Sequence, residues 1–198
     1  MAHRQADDEE PRRCRWAERT TPEMQAYHDE KWGVPLHGER ALFELLTLEG
    51  AQAGLSWSTV LGRREGYRRL FAGFDVDLIA GWPDAIVDEL VQDPGIIRNR
   101  AKVLSVLNNA RAALALRQSD TDLDAYLWSF VGGVPLQPRL EPTAAVPATT
   151  DLSTTLSRDL KKRGFGFVGP TIVYAFMQAS GMTNDHTTDC FRHADLAG

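Results

Sequence analysis

Side chains able to bind metal and move protons gather at the two ends of this chain. The decapeptide GMTNDHTTDC, residues 181–190, holds a histidine, a cysteine, two aspartates and an asparagine. His186 and Cys190 stand four apart, the spacing that puts two side chains on one face of a helical turn. At the other end, Cys14 is followed fourteen residues later by His28. Two cysteines and two histidines in two pairs match a structural zinc site: four ligands, tetrahedral, closed. Such a site would clip the N-terminal segment to the C-terminal one. The spacing is not that of a zinc finger, and two buried thiols with two unrelated histidines fit the same residues. A structural disulfide is not expected in a cytoplasmic chain. His3, His37 and His193 receive no role.

A second constellation joins aromatic rings to one carboxylate. AYHDEKWG and LEGAQAGLSW supply Tyr27, Trp32, Glu49 and Trp57. Several aromatic faces with one carboxylate on an apolar helix suit a flat, cationic or polar heterocycle. A buried glutamate needs a partner, and a ligand N–H is one. A plain core with a helix-capping glutamate is the other reading. A third feature is the connection GFGFVG at residues 164–169, preceded by Lys161, Lys162 and Arg163. Its glycines permit positive φ and close backbone approach. It empties into a helix starting at Pro170, whose unpaired amides favour an anion. A DNA phosphate fits this hairpin; so does an αα-hairpin with ordinary glycine caps.

The elements that must carry these residues read as helices. In ERALFELLTLEGAQAG, Leu42, Leu45, Leu46 and Glu49 fall on adjoining helical positions. DAIVDELV and RAKVLSVLNNARAALALR repeat the 3.6-residue period, the latter with Val103, Leu107, Ala110 and Leu114 in one stripe. DLDAYLWSFVGG closes at Gly132-Gly133, DLSTTLSRDLKKRG at Gly164, and PTIVYAFMQASG opens at Pro170 and ends at Gly181. No alternating strand pattern appears, so the expected class is all-α. The proline-bearing stretch 132–150 is expected to be a long surface connection. Residues 1–12, charged and without aromatics, are expected to be disordered. Residues 13–192 would form a single domain, with 193–198 a flexible tail.

The 198 residues are 43% hydrophobic and 25% charged, which suits one soluble globule. No apolar run approaches the ~20 residues of a membrane span, and the polar N-terminus MAHRQADDEEPRR does not read as a secretory signal. A cytoplasmic location is the expectation. The net charge of −5 does not advertise a nucleic-acid binder. Cationic residues nonetheless cluster at Arg63-Arg64 with Arg68-Arg69, at Arg98–Lys102, and at Lys161–Arg163.

Taken together, the blocks RCRWA, AYHDEKWGVP, LFELLTLEGAQAGLSWSTVL, LVQDPGIIRNRAKVLSVLNNA, LWSFV, LKKRGFGFVGPTIVYAFMQASGMTNDH and CF resemble the constitutive bacterial 3-methyladenine DNA glycosylases. These belong to the helix-hairpin-helix glycosylase superfamily. The resemblance runs from about Cys14 to Phe191. It implies base-excision repair: hydrolysis of the N-glycosidic bond of N3-methyladenine flipped out of double-stranded DNA, without a lyase step, by a monomer. It implies one structural zinc on Cys14, His28, His186 and Cys190. It places Tyr27, Trp32, Glu49 and Trp57 around the base, with Glu49 hydrogen-bonding its exposed edge and counted as catalytic. The hairpin, through Lys162, Gly164, Gly166 and Gly169, would hold the DNA backbone, and Gly54 and Leu55 would enter the gap left by the base.

Two positions depart from the family's pattern. Met24 stands where some members carry a pocket tyrosine, and Gly166 where relatives often have lysine. Most superfamily members also stabilise the sugar cation with an aspartate; counting back two from His186 gives Asn184 instead. Asp185 is one residue away, ~100° on a helix. The substrate makes this tolerable, because methylation at N3 charges the base and activates it as a leaving group. The competing readings are a glycosylase for another alkylated base and a non-catalytic, zinc-stapled binder of damaged DNA.

Overall fold

The structure is a computed structural model and describes residues 10–119 and 121–197. The regular elements among these residues are helices: α1 (Arg15–Glu18), α2 (Pro22–Glu30), α3 (Glu39–Gln52), α4 (Trp57–Leu61), α5 (Arg64–Leu70), α6 (Val76–Ala80), α7 (Val87–Leu90), α8 (Arg100–Gln118), α9 (Leu123–Ser129), α10 (Asp151–Lys162), α11 (Pro170–Ala179) and α12 (Phe191–Asp195). Single 3-10 turns precede α6 and α7. Extended pairing among the described residues is limited to two isolated bridges, Leu136 with Thr183 and Leu140 with Thr187.

Helices α8, α10 and α11 start where the sequence supplies a start signal, whereas α3 begins at Gly38 without a side-chain cap. The Asn99 side chain accepts the Lys102 amide at 3.1 Å to open α8. Thr150 and Ser153 form a reciprocal capping box at the head of α10. Pro170 occupies the first turn of α11, where its missing N–H costs nothing. The apolar faces of these helices meet in one core that includes Leu42, Phe43 and Leu46 of α3, Leu107 and Ala110 of α8, and Phe176 of α11. Helix α8 packs on α6, and α11 packs on both α10 and α3. Helix α3 therefore runs through the centre, and nine of its residues are buried.

The chain ends meet across α2 and α11. Gly181 has φ 71°, and a Cβ there would lie 2.5 Å from the backbone at Val34 and Pro35. Only glycine lets the segment after α11 lie against residues 33–35. A Cβ on Gly33 would in turn come 2.8 Å from His186 Nε2. Backbone bonds continue the seam: Leu36 N–H to Ser180 O, Leu136 N–H to Met182 O, Asn184 N–H to Leu136 O, and Thr188 N–H to Leu140 O.

This seam corrects three expectations. Residues 182–190 are not a helical turn; their backbone is held in irregular form by the connection at 136–140. Residues 193–195, read as part of a flexible tail, complete α12, where His193 is buried and its ring bonds the His186 carbonyl at 3.0 Å. The reading of residues 1–12 falls mostly outside the described residues, but Arg12 is tied down: its carbonyl accepts the Phe191 amide and its guanidinium pairs with Asp189. The connection 132–150 does run over the surface as expected, largely exposed.

Candidate active site and metal centre

One face of α3 and the two chain ends enclose a cavity of about 720 Å³. Tyr27, Trp32, Glu49 and Trp57, drawn from α2, the turn after it, α3 and α4, all line it, together with Trp16, Met24, Gln178 and Asp185. The Tyr27 and Trp57 rings lie 5.4 Å apart, tilted by 45°. Met24 is on the wall, so one side is aliphatic where an aromatic ring is the alternative.

Glu49 has unusual electrostatics. Its side chain is buried, Oε2 has no hydrogen-bond partner, and burial pushes its carboxyl up to about 8. The buried indole N–H of Trp57 is also unpartnered. An acidic group and an N–H donor, both unsatisfied, thus stand on the wall of one cavity, where a polar heterocycle could satisfy them. Glu44, one turn earlier on α3, shows the contrast: it is buried too, but Arg64 and Arg68 hold it.

The second feature is a cluster of four buried side chains. One ligand atom each from Cys14, His28, His186 and Cys190 lie within 4.8 Å of one another. His186 Nδ1 is 3.5 Å from both sulfurs, and His28 Nε2 is 3.6 Å from Cys190 Sγ. The remaining ring nitrogens point outward to acceptors that fix their tautomers: His28 Nδ1 to Asp29 at 2.8 Å and His186 Nε2 to the Trp32 carbonyl at 3.0 Å. Asp29 is held by Arg13. The Cys190 thiol is pushed down, chiefly by a hydrogen bond from Cys14 and then by the two histidines, whereas Cys14 is pushed up by Cys190 and by burial. Metal binding at such a site needs the thiols deprotonated, so it would release protons. The donor set and its closure suit a metal ion with no open position.

Several contacts of the site carry no signal in the sequence. Asp29 and Arg13 orient a cluster histidine. Trp32 serves the cluster as well as the cavity, since its ring packs edge-on against His186 at 4.6 Å. Residues 142–146 of the surface connection reach the cavity, through Pro142, Thr143, Ala144 and Val146. Asp185 lines the cavity whereas Asn184 does not: Asn184 turns away to bond Gln137 and the His193 carbonyl. The offset of one residue, drawn on a helix in the sequence reading, has no meaning in this irregular segment. Asp185 is itself saturated by Tyr174, Gln178 and Thr183 at 2.5 to 2.8 Å. Asx and His spacing marked this stretch, but no sequence signal separated the two neighbours.

The hairpin between α10 and α11 is present. Lys162 and Gly164 are exposed, Gly166 and Gly169 half-buried, and Phe165 and Val168 buried; Phe167 is only half-buried, with φ 53°. Gly54, with φ 78°, and Leu55, 42% exposed, project from the turn after α3. A Cβ on Gly166 would lie 3.3 Å from Ser105, so a side chain there would press on α8. Most of the cationic clusters are spent internally: Arg64 and Arg68 on Glu44, Arg69 on Asp93, Arg100 on Asp88 and Arg163 on Asp159. Lys161 and Lys162, beside the hairpin, make no ion pair among the described residues.

The profile of methyladenine glycosylase matches residues 16–193. The chain is 47% identical over 178 residues to DNA-3-methyladenine glycosylase 1 of Escherichia coli strain K12, covering 90% of this chain and 95% of that one. It is 43% identical, over 90% and 96%, to the DNA-3-methyladenine glycosylase of Haemophilus influenzae. A crystal structure of 3-methyladenine DNA glycosylase I superposes with a TM-score of 0.87 at 48% identity, over 91% of this chain and 98% of that one. The Staphylococcus aureus enzyme, solved to explain 3-methyladenine recognition, gives 0.85 at 36% identity, over 90% and 95%. The chain belongs to the methyladenine glycosylase family.

The Glu49 environment predicts a pH-dependent stability. Its folded value, about 8, stands above the ordinary value of 4.5. Stability from the protonated carboxyl is therefore full below about pH 4.5 and is lost as pH rises towards 8, by up to about 1.4 kcal/mol per pH unit. Urea denaturation at pH 5, 6, 7 and 8 should show Glu49→Gln gaining on the parent at each step. Parallel curves for the two proteins would remove the unpartnered carboxyl from the account.

Proposed function

We propose that the chain is a DNA base-excision repair glycosylase that hydrolyses the N-glycosidic bond of N3-methyladenine in alkylated double-stranded DNA. The observation that carries this reading is the unpartnered Glu49 carboxyl on the wall of a cavity faced by Tyr27, Trp32 and Trp57. Chemistry on a base requires it to leave the stack, at a cost of about a few kcal/mol, and to enter a pocket. Glu49 accepts an N–H from the edge of the flipped base. The cationic base draws the carboxyl into its ionised form.

Selectivity follows from the same charge. A cation stacked on Tyr27 or Trp57 gains about 1–2 kcal/mol over neutral adenine in a desolvated site. The methylated base is already an activated leaving group, so little general-acid assistance is required of the protein. Once the bond breaks the free base is neutral, and its hold on the pocket weakens. The reading is of hydrolysis alone, without a lyase step.

The remaining roles complete the reading. Gly54 and Leu55 form the wedge that enters the gap in the duplex, and Lys162, Gly164, Gly166 and Gly169 grip the backbone. The protein acts as a monomer in the cytoplasm. The ion of the Cys/His cluster is zinc, held by Cys14, His28, His186 and Cys190. Sulfur–nitrogen separations of 3.5 to 3.6 Å agree with the roughly 3.5 Å edge that Zn–S and Zn–N bonds of ~2.3 and ~2.05 Å give a tetrahedron. With four protein ligands and no open position its part is structural: it holds the two chain ends that bear Tyr27, Trp32 and Asp185.

Glu49→Gln and Trp57→Ala should each lower 3-methyladenine release from methylated DNA by about tenfold or more, while gel-shift affinity for undamaged duplex stays within a factor of two. Parental release in both variants would disprove the pocket assignment. Metal analysis should find about one zinc per chain, and Cys14→Ala should lose it together with thermal stability. Undiminished zinc in that variant would count against the staple.

A further inference from the structure

Helix α8 reaches neither the cavity nor the Cys/His cluster, yet three of its polar side chains stand on one face. Lys102, Ser105 and Asn109 follow the i, i+3, i+7 spacing of a helical stripe. Lys102 and Asn109 are buried. Lys102 Nζ donates to the Ala51 carbonyl at 2.8 Å and to the Ala53 carbonyl at 2.7 Å. These carbonyls end α3 and begin the turn that projects Gly54 and Leu55. Two turns further on, the Asn109 side chain takes both backbone groups of Gly166: Oδ1 accepts its N–H at 2.7 Å and Nδ2 donates to its carbonyl at 3.1 Å. Ser105 sits between them, against the α-carbon of Gly166.

We infer that Lys102 and Asn109 are positioning residues that set the wedge turn at 53–55 and the hairpin at 164–169 in fixed register for duplex DNA. Three observations support it. The two contacts are seven residues apart on one rigid helix, about 10 Å along its axis. The hairpin also touches α3 directly, because a Cβ on Gly50 would meet Phe167 at 3.2 Å, one residue from Glu49. Lys102 has no acidic partner among the described residues; a buried ammonium bound only to carbonyls is a costly way to fill a helix face. Burial also holds its pKa below the usual lysine range. The ammonium lies at the carbonyl end of α3, where a cation is favoured, and it fixes two backbone carbonyls two residues apart, which no apolar side chain could hold.

The inference rests on the reading that the chain excises bases from duplex DNA, and the test separates the two. Lys102→Met and Asn109→Ala are compared with the parent in three measurements: single-turnover release of 3-methyladenine from methylated duplex, release from the same DNA heat-denatured, and affinity for free 3-methyladenine followed by tryptophan fluorescence. Each variant should lose at least tenfold in release from duplex. It should stay within twofold of the parent on denatured DNA and in free-base affinity, since neither needs a wedge held against a grip. Parental rates on duplex would overturn the inference. So would equal losses on both DNAs, or a matching loss of free-base affinity, which would mark a merely structural role. Asn109→Ala decides the matter if Lys102→Met does not fold. A parent that releases no 3-methyladenine from either DNA refutes the excision reading instead, whatever the variants do.

Discussion

A carboxyl group buried without a partner is the constraint around which this fold is arranged. Glu49 lies on the most enclosed helix, α3, among residues that contribute to the core on either side. Transfer of such a group out of water costs free energy unless it stays neutral or finds a counter-charge. Glu44 on the same helix finds two arginines; Glu49 finds none, and its carboxyl is pushed up to about 8. The fold must hold α3 rigidly enough that the group cannot relieve itself by swinging out to water. Packing by α11 and α9, together with the Lys102 contact at its carbonyl end, supplies that rigidity.

The cavity around Glu49 is closed by the chain ends rather than by the core. Tyr27 belongs to α2, Trp32 to the turn after it, and Asp185 to the segment after α11. None of these short pieces has enough apolar area to fix itself. Two glycines, at 33 and 181, allow the segments to touch, and the Cys/His cluster ties them. Trp32 shows the coupling: its ring faces both the cavity and His186, and its carbonyl orients that histidine. Loss of the tie is felt in the pocket wall without touching the base.

Much of this was legible in the sequence where an element is long enough to show a period. The stripes of α3, α8, α10 and α11 extend over at least ten residues each and read as helices. Helices of four or five residues, such as α1, α4, α6 and α12, complete barely one turn, so no period can identify them. The cluster residues and the pocket quartet were legible by type, and the structure brings each set together. What could not be read depends on tertiary pairing. Residues 182–190 carry a helical spacing but are bound to 136–140, which turns Asp185 rather than Asn184 to the cavity. Arginine runs that suggest a basic face are mostly consumed by acidic partners 12 to 24 residues away or nearer. The polar stripe of α8 is the seat of two loops, which its local spacing does not show.

The central claim is that an enclosed, uncompensated carboxyl among aromatic rings selects a base that carries its own charge. Mass spectrometry of the bases released when the purified chain is incubated with methylated duplex DNA tests this most directly. The account predicts steady release of 3-methyladenine and retention of unmodified adenine. Release of no base at all, or release of neutral adenine at a comparable rate, would contradict it.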